Sequence, residues 1–156
     1  MKTLILYATK YGAAEEIARR ISAKIAGAAV HDLKQDDIPA LSAFDCIIVG
    51  SGVYAGSFRK EAKTFLSKNA EVLKSKRLGL FASGMSAEES QKVFADNVPK
   101  DVLESAKSAM LLGGIFDPQK ANFAERAIMK AVTKQAGFAD TVDNGKIAQF
   151  AEFLAE

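Results

Sequence analysis

Apolar residues recur along the chain in two alternating patterns. Mostly apolar runs of strand length lie at Thr3–Ala8, Phe44–Gly50, Leu78–Ala82 and Ala109–Gly114, and Ala28–Leu33 is a further candidate for a short strand. Runs without a regular polar alternation are typical of strands that are covered on both faces of a sheet. The pattern therefore predicts five buried strands.

Between these runs, apolar residues return every three or four positions, which predicts helices that pack one face on the sheet. The predicted helices run from Ala13 to about Gly27, start near Phe58, start at Ser86, and cover Asn122–Gln135 and Gly145–Ala155. Ser86 and Glu89 have the spacing of a capping box, which marks the start of the third helix.

Strands that alternate with helices predict right-handed crossovers and a parallel sheet with helices on both faces. A chain of 156 residues suits an open doubly wound sheet better than a barrel, and we expect one domain over residues 1–156. The ligand crevice of such a sheet lies at the carboxyl ends of its strands, where the strand order reverses. Three loops rich in small residues, Thr9–Ala14, Ser51–Ser57 and Ser83–Met85, are therefore expected to converge.

The first of these loops has the composition of a phosphate site. It lies between the first strand and the first helix and contains Thr9 and Gly12. Backbone N–H groups, the Thr9 hydroxyl and the positive end of the helix dipole can face one point, which favours a phosphate monoester. The same residues also suit a tight strand-to-helix turn that binds no ligand.

Composition and charge narrow the class of protein. Hydrophobic residues make up 49% of the chain and charged residues 26%, which is a soluble globular composition. The net charge of +2 is too small to indicate nucleic acid as a partner. Lys2 is followed directly by strand-like residues, and no apolar run approaches the length of a membrane span. We therefore expect a cytoplasmic protein.

Several alternative functions fail on residue type. The Gly50–Gly56 spacing is similar to a dinucleotide-binding motif, but it follows the wrong strand and lacks the acidic partner. Ala8 and Ser51 stand where a phospho-accepting receiver domain needs acidic residues. Cys46 is the single cysteine and falls in a predicted buried strand, which argues against a thiol phosphatase. His31 is the only histidine, so we expect no metal site.

The chain resembles the flavodoxin family at the first strand, loop and helix. The family pattern is an apolar strand, a hydroxyl residue, a small residue three positions later, usually Thr two positions further, and then Ala and an aliphatic residue. Here it reads Leu4–Tyr7, Thr9, Gly12, Ala14, Ala18 and Ile21. Ala14 replaces the usual hydroxyl donor, at a cost of about 1 kcal/mol for one hydrogen bond, and the charge of Lys10 can partly offset that loss.

The resemblance implies a five-stranded sheet of order 2-1-3-4-5 and the cofactor FMN. The FMN phosphate would lie on the first loop, formed by Thr9, Lys10, Tyr11, Gly12, Ala13 and Ala14. The flavin ring would lie between the other two loops, on Ser51, Gly52, Val53, Tyr54, Ala55, Gly56, Ser83, Gly84 and Met85. Tyr54 offers stacking area to a flavin, although an ordinary exposed turn aromatic is the alternative. The chemistry then belongs to FMN, and no catalytic side chain is assigned.

Within that family the chain is similar to the menaquinone-dependent protoporphyrinogen dehydrogenases of haem biosynthesis. The similarity lies in Met1–Leu6, the Gly50–Gly56 loop and a long segment, Phe116–Thr141, before the final helix. It implies an enzyme that passes electrons from a reduced organic substrate through FMN to a quinone. Residues 122–135 have a basic amphipathic pattern, which can lie on an anionic membrane, dock a partner, or face the core with a solvated basic edge.

A flavodoxin-type electron carrier is the alternative function. Such a carrier binds FMN and docks to other redox proteins without a small-molecule substrate. Carriers of this family tend to be strongly acidic, which steers them toward basic partners. The net charge of +2 in this chain favours the enzyme instead.

Overall fold

A parallel β-sheet forms the centre of the structure, a computed structural model that describes residues 1–35, 37–84, 87–117 and 139–156. In chain order its strands are β1 (Thr3–Ala8), β2 (Ala29–Asp32), β3 (Cys46–Tyr54), β4 (Ser57–Phe58), β5 (Arg77–Ser83) and β6 (Ser108–Leu111). The spatial order is β2-β1-β3-β5-β6, and β4 pairs with β3. Counting only the parallel strands gives the order 2-1-3-4-5, so the predicted doubly wound sheet is confirmed.

Helices cover both faces of this sheet. They are α1 (Ala13–Ser22), α2 (Lys60–Lys68), α3 (Ala70–Lys74), α4 (Ser90–Asn97), α5 (Lys100–Ser105) and α6 (Asn144–Ala155), with 3-10 turns at Leu41–Ala43 and Ala87–Glu89. A separate antiparallel pair joins β7 (Ile115–Phe116) to β8 (Ala139–Asp140). Across the described ranges, each helix is too short or too polar to cross a membrane.

Two apolar layers sandwich the sheet because successive strand residues face opposite sides. Leu4 and Leu6 of β1 belong to the layer that contains Leu66, Leu73 and Phe94, on the side of α2 to α5. The other layer contains Ile5 and Tyr7 of β1 and seven buried residues of α1 and α6: Ala14, Ile17, Ala18, Ile21, Ile147, Phe150 and Leu154. All six β1 residues are buried, which explains their continuous apolar run.

The predicted loop Ser51–Ser57 is partly wrong, because β3 continues through Tyr54 and turns back as β4. Val53 pairs with Phe58 and Tyr54 with Ser57 in an antiparallel register. The two connecting residues, Ala55 and Gly56, have φ of 51° and 77°. Positive φ at both positions is what a two-residue hairpin turn needs to match the twist of its strands. The sequence lacked the usual Asn-Gly or Asp-Gly signal for such a turn.

Other helix and strand boundaries differ from the predicted ones because of local backbone conformation. The helix expected from Phe58 begins at Lys60 and breaks at Asn69, whose φ of −110° and ψ of 18° separate α2 from α3. The strand expected over Ala109–Gly114 ends at Leu111, shortly before Gly113 adopts a φ of 91°. The expected helix start at Ser86 and the expected helix Asn122–Gln135 lie outside the described residues, and α5 was not predicted.

Close packing of β3 against β5 depends on a glycine. Gly50 pairs with Phe81, and a Cβ added at Gly50 would lie 1.9 Å from the Phe81 ring carbon Cζ. That ring is fully buried and makes an edge contact with Phe150 of α6, with centroids 6.4 Å apart. The ring therefore lies directly over the Gly50 backbone and has little room to move.

We expect Gly50→Ala to lower the free energy of unfolding by roughly 1–3 kcal/mol, because the added methyl group overpacks the Phe81 ring. Gly52→Ala is the matched control in the same strand, since its Cβ would meet nothing nearer than the Ala8 carbonyl oxygen at 4.0 Å. Urea denaturation of both variants measures the difference. Equal stabilities for the two variants would contradict this account of the packing.

Candidate functional site

Three strand ends bring the predicted loops to one edge of the sheet. Ala8, the last residue of β1, pairs with Ser51, and Ser51 pairs with Ala82 of β5. Because the three strands are parallel, the chain leaves each of them at the same edge. The expected convergence of the loops is therefore found for their described residues.

The first loop ends in a left-handed turn at Gly12. Gly12 has φ 99° and ψ −2° and precedes the first residue of α1. Its N–H donates to Thr9 Oγ1 at 2.8 Å, and its carbonyl accepts the Glu16 N–H at 3.0 Å. A non-glycine residue in this conformation would be strained, so the turn explains the glycine.

Backbone N–H groups gather beyond this turn. The bond from Glu16 to Gly12 is the first of the α1 ladder, so the N–H groups of Ala13, Ala14 and Glu15 lie ahead of it. Such groups have no acceptor within their own helix and give its N-terminus a positive field. The Ala14 side chain is fully buried in the layer beneath α1. Ala14 as a whole residue is 0% exposed, so it offers no surface to an anion in this conformation, and its buried position accounts for a small residue without a hydroxyl.

Lys10 connects the first loop to the hairpin that β3 and β4 form around Ala55 and Gly56. Its Nζ lies 4.9 Å from the centroid of the Tyr54 ring and 5.1 Å from that of Tyr11. A cation over two aromatic faces is favoured by the ring quadrupoles. Tyr54 is 39% exposed and is the last residue of β3. The contact places a positive charge between the aromatic residues of the first and second loops.

Ser51 supports the hairpin from beneath. Its hydroxyl is fully buried, donates to the Gly52 carbonyl at 2.8 Å and accepts the Arg59 N–H at 2.8 Å. Both bonds are made within the protein, so Ser51 fixes the course of β3 into the turn and onward to α2. This predicted site residue shapes the second loop through its backbone partners.

The third loop lies against the second. A Cβ built on Gly84 would be 3.6 Å from Val53 Cβ, and the Gly84 N–H donates to the Gly113 carbonyl at 3.0 Å. Ser83 is buried at the end of β5. Met85, the remaining predicted residue of this loop, lies outside the described residues. The second and third loops are thus in contact at Val53 and Gly84.

A cavity of about 390 Å³ opens beside the first loop on the outer side of α1. Its lining comprises Tyr11, Gly12, Ala13, Glu15, Glu16, Arg19, Arg20, Ile115 and Asp117. Arg19 pairs with Glu15, while Arg20 bonds Glu16 at 3.0 Å and lies 3.6 Å from Asp140. Sequence reasoning named Tyr11, Gly12 and Ala13 but missed the charged residues of α1, because charge pairs four residues apart indicate a solvated helix face. The paired charges make the lining nearly neutral.

Cys46 has no part in this site. It is fully buried and pairs with Thr3 at the opposite end of β1, as expected for a core residue. Burial raises the pKa of the Cys46 thiol, although a bond to Thr3 acts in the other direction. A buried thiol with a raised pKa is a poor nucleophile. Within the described residues, no group of three or more His, Cys, Asp or Glu side chains could hold a metal ion.

A family model described as a flavodoxin domain matches residues 4–142, which is most of the chain. A comparison with curated proteins finds no match.

Solved structures share the fold at low sequence identity. Flavodoxin 2 from Bacillus cereus is 21% identical with a TM-score of 0.64, and the match covers 99% of this chain and 98% of that one. A flavodoxin from Streptococcus pneumoniae TIGR4 is 20% identical with a TM-score of 0.61, over 99% and 98% of the two chains. The rubredoxin oxygen:oxidoreductase from Desulfovibrio gigas is 15% identical with a TM-score of 0.61, and 99% of this chain spans only 35% of that protein.

Proposed function

The chain belongs to the flavodoxin domain family, and from that premise we propose that it binds FMN and transfers electrons through it. The observation that carries the proposal is the first loop. A left-handed Gly12, the Thr9 hydroxyl and the leading N–H groups of α1 stand together at the edge where a doubly wound sheet binds its ligand.

The residues present fit a flavin mononucleotide. The phosphate would be held by the first loop, with the N–H groups of Gly12 and Ala13, the Thr9 hydroxyl and the charge of Lys10. Phosphate oxygens are strong acceptors that match such donors. Binding would require the Gly12 N–H to exchange its Thr9 acceptor for a phosphate oxygen or to share it. When bound, FMN supplies the redox chemistry.

The flavin ring would lie between the hairpin and the third loop. A Cβ added at Gly56 would meet nothing within 4 Å, and one at Gly52 would meet only the Ala8 carbonyl oxygen at 4.0 Å. The backbone at both positions is therefore open to a flat ligand. Tyr54 offers an aromatic face beside that space, with the remaining walls at Val53, Ala55, Ser83 and Gly84.

A dehydrogenase of the protoporphyrinogen type is our finer proposal. FMN would take electrons from a reduced organic substrate, and a quinone would receive them. The support is the similarity of Met1–Leu6 and the Gly50–Gly56 loop, the segment between β6 and α6, and a net charge of only +2. Contact of residues 122–135 with a membrane remains a prediction, because those residues lie outside the described ranges.

A flavodoxin-type carrier is the second candidate. The family match favours it, since a flavodoxin domain spans residues 4–142. A carrier would exchange electrons with a docked redox protein, and the exposed Tyr54 ring beside the proposed flavin would lie at that contact. The two candidates share the cofactor and differ in the electron donor.

We expect Gly12→Asp to weaken FMN binding roughly 10- to 100-fold relative to Gly12→Asn, because the carboxylate would repel the phosphate at close range. The Asn variant is the control, since both side chains have the same size and tolerate a left-handed backbone. Titration of the FMN-free variants, followed by flavin fluorescence, gives both dissociation constants. Equal dissociation constants for the two variants would contradict a phosphate site at the first loop.

An anaerobic absorbance experiment separates the two candidate functions. If the chain is a dehydrogenase, protoporphyrinogen IX added to the FMN-loaded protein should bleach the flavin absorbance, and a quinone should restore it. If the chain is a carrier, the flavin stays oxidised with this substrate and is reduced only by a redox protein. A protein that retains no FMN would contradict both candidates.

A further inference from the structure

Asn97 is a buried polar residue that sequence reasoning did not connect with the site. It is the last residue of α4 and is 7% exposed. Its Nδ2 donates to the Gly56 carbonyl at 2.9 Å and to the Val93 carbonyl at 2.8 Å, while its Oδ1 accepts the Phe58 N–H at 2.9 Å. One side chain therefore bonds the hairpin turn, the strand that follows it and its own helix.

These partners fix the orientation of the Asn97 amide. Two carbonyl groups require two donors, and one N–H group requires an acceptor. Reversing the amide would place its oxygen against two carbonyl groups and its NH₂ against an N–H group, with all three bonds lost. The contact is therefore specific for a carboxamide of this length.

The hairpin needs support from outside the sheet. β4 has two residues, and a strand pair this short is barely stable alone. Ala55 is the one non-glycine residue with positive φ among the described residues, a conformation that costs about 1–2 kcal/mol. The Tyr54–Ser57 pair closes the turn, so the next N–H, that of Phe58, points away from β3 and toward Asn97.

A ring contact holds β4 to the same helix. Phe58 and Phe94 meet edge to face with centroids 5.9 Å apart and planes at 85°. Both rings are buried, so the contact fixes the distance between β4 and α4. The hydrogen bonds of Asn97 then fix the position of the turn relative to that contact.

We propose that Asn97 is the positioning residue of the second loop: its side chain fixes the turn at Ala55 and Gly56, and through it the wall of the flavin site. The effect on the flavin rests on the proposed function, whereas the effect on the turn does not. A short 3-10 turn precedes α4 in the chain and comes after the third loop. Asn97, at the end of α4, therefore also links the second loop to the helix that follows the third loop.

The first test uses the full chain without FMN and follows amide hydrogen exchange by NMR. In the wild type, the Phe58 amide should exchange far more slowly than a free peptide, although it lies in a two-residue strand. In Asn97→Ala, exchange at Ser57 and Phe58 should accelerate about tenfold or more, the equivalent of one lost hydrogen bond. Exchange of the wild-type Phe58 amide at the free-peptide rate would overturn the proposal.

Asn69→Ala is the matched control. Asn69 also ends a helix on this face of the sheet and donates Nδ2 to the carbonyl four residues back, that of Phe65, at 3.0 Å. It bonds no residue of the hairpin, so its loss should leave Ser57 and Phe58 protected. If the two alanine variants show the same exchange at the hairpin, Asn97 has no special role there.

Asn97→Asp is a second variant that keeps the proposal testable if Asn97→Ala fails to fold. The carboxylate keeps an acceptor for the Phe58 N–H but cannot donate to the Gly56 carbonyl. We therefore expect faster exchange at Ser57 with partial protection of Phe58. Full protection of both amides in this variant would show that the bond to Gly56 contributes nothing.

The second test loads the same variants with FMN and measures the midpoint potential and the dissociation constant. Asn97→Ala should shift the potential and weaken binding about tenfold, whereas Asn69→Ala should change neither. Faster exchange with an unchanged potential and affinity would reduce Asn97 to a structural residue and overturn the positioning role. A wild type that binds no FMN would contradict the proposed function, and the exchange data would still decide whether Asn97 holds the turn.

Discussion

Parallel pairing of β1, β3 and β5 is the constraint on which the rest of the structure depends. The register from Ala8 to Ser51 to Ala82 brings the carboxyl ends of three strands to the same edge of the sheet, so the loops that follow them lie close together. Buried apolar side chains on both faces hold that register, because a shift by one residue would turn each of them to the wrong layer. The core thus determines where the site lies, and the loops determine what it can bind.

Both backbone and side-chain groups of the loops contribute to the site. Gly12 turns the chain into α1 at the edge where the three loops meet, and Gly52 and Gly56 leave the backbone of the second loop uncovered. Lys10 and Tyr54 add a charge and an aromatic face at the junction of the two loops. Few of these groups are reactive by themselves. Such a site is suited to hold a cofactor that brings its own chemistry.

Sequence patterns predicted the parts of this structure that depend on local periodicity. The buried run Thr3–Ala8 and the stripe of Ile17, Ala18 and Ile21 identified β1 and α1, and Cys46 proved to be a core residue as expected. The hairpin escaped prediction because Ala55 is a rare residue for a left-handed turn. Its conformation depends on support from elsewhere in the fold.

Contacts between distant residues could not be predicted from one sequence. Asn97 lies 41 positions from Gly56, and no spacing pattern links an asparagine at a helix end to a turn so far away. The burial of Ala14 is a similar case, because its place on the buried face of α1 depends on the apolar layer around it. Local chemistry indicated a phosphate site, and tertiary packing decided which atoms could serve it.

Binding of FMN compared with riboflavin by the FMN-free protein tests the central claim most directly, because the two ligands differ only in the phosphate. Isothermal titration of both ligands under the same conditions gives the two dissociation constants. If the first loop is a phosphate site, FMN should bind roughly 100-fold more tightly than riboflavin or better, as expected for several charge-assisted hydrogen bonds. Equal affinity for the two ligands, or no binding of either, would contradict the account.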